Sequence, residues 1–171
     1  MQLDYLPQLP QRLDTRIGCI GAGFIMADCH LVAYRAAGLN PVAITSRSES
    51  KAREVAARHE IETVHPDWRG LVADEQVEVL DVAVPPDVQL EVVREAARFG
   101  KGNGGHLAGL LAQKPLGVDL SEAHRIVRLC QEAGITLAVN QNMRFDQSIR
   151  AARGLLDDGA LGEPVLATID M

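Results

Sequence analysis

Aromatic residues make up only 4% of this 171-residue chain, so its core has to be built from Ala, Val, Leu and Ile. That mixture suits parallel strands buried on both faces. Cysteine is scarce as well. Cys19, Cys29 and Cys130 are an odd number at unrelated spacings, which argues against a disulfide framework and fits a reducing, cytoplasmic setting. Positive charge is outweighed: 17 Lys and Arg face 23 Asp and Glu, for a net charge of −6 without a basic block. A nucleic-acid partner is therefore not expected. No apolar run approaches the length of a membrane span. Residues 1–15 lack a basic start followed by an apolar stretch, so they do not read as a secretory signal. They read instead as a leader arm, packing through Tyr5, Leu6 and Leu9. His30, His59, His65, His106 and His124 show no metal-ligand spacing with the cysteines, and no metal site is expected. What remains is ordinary globular composition, 47% hydrophobic and 23% charged. The length suits one full α/β domain and is short for two.

The organising stretch runs from Arg16 to Met26, RIGCIGAGFIM. The apolar residues Ile17 to Ile20 read as a buried strand. Gly21 and Gly23 follow, then a helical pattern begins. Strand, glycine turn and helix in that order are the context in which Gly-x-Gly points to a dinucleotide. Gly21 allows the tight turn, and Gly23 lets a pyrophosphate approach the backbone closely. The phosphates would rest on the free N–H groups of the next helix, over Phe24 and Ile25. Met26 stands where the motif has its third glycine, which serves helix–strand packing. A plain glycine turn without a ligand is the competing reading.

Five further strand–helix alternations follow. Strands are expected at Pro41–Thr45, Ile61–Val64, Val77–Val84, Leu107–Ala112 and Ile135–Val139. The first helix should bury Ile25, Leu31, Val32 and Ala36. Asp67 and Asp119 read as helix caps. The glycine-rich stretch from Gly100 to Gly105 leads from helix to strand, away from the ligand end, and reads as a flexible connection. The pattern predicts a Rossmann-type, doubly wound parallel α/β sheet over residues 16–162, with its crevice between the first and fourth strands. Residues 163–171 alternate apolar and polar. They read as a candidate seventh strand with no following partner in this sequence.

Three places can carry chemistry. An NAD site usually has an acid after the second strand. Here Ser46 and Arg47 stand there, a donor and a cation suited to a 2′-phosphate. They suggest NADP, with NAD left open. The competing reading makes Ser46 a helix cap and Arg47 a solvated charge. Lys114 follows the fifth strand and precedes Pro115, where its ammonium can support hydride transfer by stabilising an alkoxide or relaying a proton. A surface lysine is the alternative. After the sixth strand, Asn142 and Arg144 could orient a sugar-like substrate or the nicotinamide; ordinary loop polarity competes with that role.

Taken together, these motifs resemble the Gfo/Idh/MocA oxidoreductase family over nearly all of Arg16 to Met171. The residues that carry the resemblance are the glycine stretch, Val84-Pro85-Pro86-Asp87, Gln113-Lys114-Pro115 and Asn142-Met143-Arg144-Phe145. The resemblance implies that Lys114 lies in an active site, with Gln113 in place of the usual glutamate. It implies that Pro85 and Pro86 turn beside the nicotinamide half of the cofactor. It also implies a second α/β domain, begun by residues 163–171, that holds substrate groups and the usual oligomer interface, so a homo-oligomer is left open. The expected function is the NAD(P)-binding part of an oxidoreductase acting on a sugar, cyclitol or related polyol, inactive as this chain alone. A non-catalytic NADP-binding module or sensor is the alternative, and a remnant that no longer binds nucleotide is a third.

Overall fold

Short apolar runs bounded by turn residues become strands that pair side by side. The computed structural model describes residues 8–168. In chain order, β1 (Arg16–Ile20) leads into a π-helical turn (Ile25–His30) and α1 (Leu31–Ala37). Next come β2 (Asn40–Thr45), α2 (Glu49–Arg58), β3 (Thr63–His65) and α3 (Trp68–Ala73). They are followed by β4 (Val79–Val82), α4 (Pro86–Arg98), β5 (Gly109–Gln113), α5 (Leu120–Glu132) and β6 (Thr136–Asn140). The last helix, α6 (Gln147–Asp157), lies in a second compact unit. Every strand pairing is parallel, in the order β3-β2-β1-β4-β5-β6. The order reverses between β1 and β4. There the connections leave the carboxyl ends of neighbouring strands in opposite directions, which opens a crevice.

Period-two alternation divides the core between the two faces of the sheet. Ile17 and Cys19 of β1 pack with Met26, Leu31, Ile44 and Val55 on one face. Ile20 joins Leu71, Leu80, Leu90, Leu110 and Ile126 on the other. Gly18 points to this second face, where a Cβ would meet Leu71 at 2.7 Å and Val77 at 2.8 Å. α3 and its neighbours therefore press closely on β1, just below the glycine turn. Among the described residues, no helix is long and apolar enough to cross a membrane.

Four expectations change. The first helix does bury Leu31, but Ile25, Val32 and Ala36 are exposed, and Met26, Ala27 and His30 are buried instead. The cause is the π-turn, in which the Leu31 N–H bonds to the Met26 carbonyl five residues back. A wider turn throws a 3.6-residue count begun at Ile25 out of phase. The glycine-rich connection is tightly packed rather than slack: a Cβ would lie 2.3 Å from the Ala133 carbonyl oxygen at Gly100, and 2.2 Å from that of Phe99 at Gly105. Leu9 is exposed rather than packed, while Tyr5 and Leu6 lie outside the described residues. Residues 163–168 form no strand, and Val165 and Leu166 are exposed. The rest of that expected strand lies outside the described residues. The second unit, by itself, holds a short turn, Asn142–Phe145, and α6. Asp146 starts α6 by accepting from the Ser148 N–H at 2.9 Å.

Candidate cofactor-binding site

The two glycines at the end of β1 do different work. Gly21 has φ +115, and its N–H donates to the Thr45 carbonyl at 2.9 Å, tying the turn to the end of β2. A Cβ there would collide with the Ala83 carbonyl oxygen at 2.5 Å. At Gly23 an added Cβ would meet nothing within 4 Å. The chain thus leaves open ground in front of the helical segment, where backbone N–H groups and the dipole favour an anion. A pyrophosphate fits that ground, and a side chain at Gly23 would fill it. Phe24 and Ile25 project outward from the turn, 69% and 41% exposed.

Gly21 and Gly23 open onto a cleft of about 470 Å³ that also brings together Ser46, Arg47 and Pro85. Ser46 does not cap α2. Ser48 does, accepting from the Lys51 N–H at 3.4 Å. Among the lining residues that the sequence reading did not assign to the site are Lys51 and Trp68. A cation in the first turn of α2 was the available signal for Lys51. Nearby arginines are paired: Arg53 with Glu49, Arg58 with Asp28 and Arg69 with Glu91. Among the described residues, Arg47 and Lys51 have no acidic partner. Thr45 also lines the cleft; its side chain is buried and its hydroxyl has no hydrogen-bond partner among the described residues. The cleft thus carries two cations beside one carboxylate, Asp67, which is engaged as the N-cap of α3.

Farther along the sheet, β5 delivers Gln113 and Lys114 to its carboxyl end. The Gln113 side chain turns back to accept from the Lys114 N–H at 2.9 Å. Lys114 is exposed, and its bond to Pro115 is cis. This loop is held by a residue the sequence reading missed. Gln89 of α4 is fully buried and donates to the carbonyls of Gln113 (2.8 Å) and Pro115 (3.2 Å). Its own carbonyl accepts from the Gly117 N–H at 2.9 Å. The signal was a lone amide beside Leu90 on the inner face of an amphipathic helix. Pro85 and Pro86 open the same helix, Pro85 at its N-cap and Pro86 at its first position. Gln113, Lys114, Phe24, Ile25 and Pro86 are not among the residues lining the cleft.

A second missed feature sits in the core. His30 Nδ1 lies 2.7 Å from Asp81 Oδ2, the Tyr34 hydroxyl donates to the same oxygen at 2.7 Å, and Asn140 Nδ2 lies 2.6 Å from His30 Nε2. The other oxygen of Asp81 has no hydrogen-bond partner among the described residues. Burial, then the Asp81 charge, pushes the Tyr34 hydroxyl and the Cys19 thiol far above their ordinary ranges. Cys130 is pushed up to about 11 by burial. Both thiols are thereby poor nucleophiles. No cluster of metal-ligating side chains occurs among the described residues. Asn142 and Arg144 fall in the second unit, both exposed on the Asn142–Phe145 turn.

A sequence model of the oxidoreductases with an NAD-binding Rossmann fold matches residues 15–141. D-apiose dehydrogenase of Paraburkholderia graminis is 30% identical over 146 residues, covering 85% of this chain and 37% of that protein. The NADP-dependent D-xylose 1-dehydrogenase of Haloarcula marismortui is 26% identical over 95% of this chain and 44% of its own length. The crystal structure of an Agrobacterium radiobacter oxidoreductase, in complex with NAD+, L-tartaric acid and magnesium, superimposes with a TM-score of 0.79. It is 29% identical, over 88% of this chain and 42% of that one. The chain thus spans less than half the length of these relatives.

Proposed function

The chain belongs to the Gfo/Idh/MocA oxidoreductase family, and on that premise we propose that it holds NADP for hydride exchange with a sugar, cyclitol or similar polyol. The carrying observation is the cleft beside Gly23, where Arg47 and Lys51 stand without acidic partners among the described residues. An acid in place of Ser46 would repel a 2′-phosphate. Here a hydroxyl and two cations receive it instead. When bound, the nicotinamide ring supplies the hydride acceptor or donor. The pyrophosphate lies over Gly21 and Gly23, next to Phe24 and Ile25, and Pro85 and Pro86 face the nicotinamide half. Lys114, steadied by the Gln89 clamp and adjoining Gln113, supports the substrate oxygen as it gains or loses charge. Asn142 and Arg144 orient the substrate.

The relatives support this reading in two respects. Those named above as dehydrogenases act, by name, on sugars; NADP+ stands in the name of the Haloarcula enzyme, and NAD+ is bound in the Agrobacterium structure. Titration of the 171-residue polypeptide with NADP and NAD by calorimetry tests the cofactor assignment. NADP should bind about tenfold to a hundredfold more tightly, the worth of one charge-assisted contact. Equal affinities would sink the preference.

A further inference from the structure

We infer that Asp81 and His30 form a buried relay that positions the Asn140 carboxamide, presenting its oxygen rather than its NH2 at the carboxyl end of the sheet. What that oxygen does there rests on the hydride-exchange reading above; the relay itself does not. His30 closes the π-turn, Tyr34 stands on α1, Asp81 lies within β4, and Asn140 is the last residue of β6. His30 is 8% exposed and Asp81 1%.

Hydrogen-bond polarity runs one way through these four side chains. Tyr34 donates its hydroxyl proton to Asp81 Oδ2 at 2.7 Å, and His30 Nδ1 lies 2.7 Å from the same oxygen. An ionised carboxylate only accepts, so Nδ1 carries the ring proton. In a neutral ring Nε2 is then the acceptor, and it lies 2.6 Å from Asn140 Nδ2. The amide therefore donates to the ring, and its oxygen is turned away on the far side of the same carbon.

Strand register gives this outcome a place. Asn140 pairs with Gln113 in the β5–β6 ladder, and Lys114 follows Gln113. A lysine ammonium has three donors and no acceptor. A substrate hydroxyl that accepts from Lys114 must send its own proton elsewhere. The Gln113 side-chain oxygen is already taken by the Lys114 N–H. The Asn140 oxygen, on the neighbouring strand end, is the complementary acceptor, and the two groups bracket one hydroxyl. An NH2 in its place would leave two donors facing each other across the substrate.

The same wiring makes the orientation depend on pH. A proton added to Nε2 sets an N–H against the Asn140 NH2, and the amide must turn over to accept it. Asp81 is the sole carboxylate bonded to this ring among the described residues. The other charged groups nearby are engaged elsewhere. Arg35 of α1 donates to the carbonyls of His59 and Glu60, and Arg58 of α2 pairs with Asp28 and the Ala27 carbonyl. His59 contacts that Ala27 carbonyl as well. The Cys19 thiol of β1 stays neutral, since burial pushes it far above its ordinary range.

Long-range proton–nitrogen NMR of the ¹⁵N-labelled polypeptide reads the ring directly. At neutral to mildly alkaline pH, His30 should be neutral with its proton on Nδ1, the tautomer less favoured in water. On acidification, protonation of His30 and a shift of the Asn140 side-chain amide should share one midpoint. Asp81→Asn exchanges a charge-assisted bond for a weaker neutral one, so His30 should lose part or all of its Nδ1–H population. If that variant fails to fold, the parent spectrum decides alone. A parent ring protonated on Nε2, or an Asn140 amide that ignores the His30 titration, would overturn the relay. An unmoved tautomer in a folded Asp81→Asn protein would do the same. Failure of the polypeptide to bind NADP or NAD would instead overturn the use made of the oxygen, with the tautomer still deciding the relay.

Discussion

Gly21 and Gly23 lie two residues apart, yet substitutions at them should fail differently. Gly21→Ala forces a side chain into a positive-φ position and against the Ala83 carbonyl. A loss of at least about 1–3 kcal/mol of stability is expected. Gly23→Val meets no neighbouring atom within 4 Å of its Cβ. Its stability should stay within about 1 kcal/mol of the parent, while dinucleotide binding disappears. Urea unfolding and calorimetry on the two variants separate these effects; a Gly23→Val protein that binds normally would show that the turn is not the phosphate site. Arg47 offers the corresponding test of specificity. Arg47→Ala should remove about tenfold to a hundredfold of NADP affinity and leave NAD binding nearly intact. Equal losses for the two cofactors would return Arg47 to a general electrostatic role.

At the scale of elements, two polar contacts hold parts of the sheet that apolar packing leaves loose. Gln89 joins α4 to both sides of Lys114. Gln89→Leu keeps the volume but strands the buried Gly117 N–H, which costs about 1–3 kcal/mol. Faster hydrogen exchange at Gly117, together with a lower urea midpoint, is the expected outcome, and unchanged exchange would contradict the clamp. Glu78 does similar work at the start of β1. Its carboxylate accepts from the Arg16 N–H at 3.1 Å and from Arg12 at 3.3 Å. The Arg16 N–H holds the carboxyl below its ordinary range; burial opposes this, and Arg12 adds to it. A depressed carboxyl stabilises the fold above its unfolded pKa, and that contribution is lost as pH falls through the folded value. Glu78→Gln should therefore be less stable than the parent at pH 7. The gap should close below the carboxylate range, about pH 4. A gap independent of pH would rule out the charge as its source.

For the whole molecule, the sheet carries the cleft of about 470 Å³ proposed above to take the cofactor. The chain spans 37% of the length of D-apiose dehydrogenase. Hydride transfer requires reacting atoms held about 3–3.5 Å apart. Lys114 is exposed, and an open surface does not impose that separation. The 171-residue polypeptide should therefore bind cofactor while giving little or no dehydrogenase turnover with a panel of sugars and polyols. Ordinary turnover would show that it holds a working site. Binding without turnover here, and equally in any longer form, would favour a non-catalytic cofactor module.

The sequence by itself determined the alternation of strands and helices, because burial on both faces of a parallel sheet demands the short apolar runs seen in β1, β4 and β5. It also marked Gly21, Gly23, Ser46, Arg47 and Lys114, since backbone geometry and charge at strand ends are local properties. Only the tertiary structure decided what depends on two distant segments meeting. The spacing of Ile25, Leu31, Val32 and Ala36 looked helical, but the π-turn changed the face they share. Glycines 100, 102 and 105 looked slack, but backbone from Phe99 and Ala133 lies where their side chains would be. The roles of Gln89 and Asp81 rest on partners from loops and helices distant in the chain. Trp68 joined Arg47 at one cleft because parallel pairing sets the carboxyl ends of β2 and β3 side by side. Sequence patterns carry the local period, whereas contacts between distant residues exist only once strand order and register are fixed.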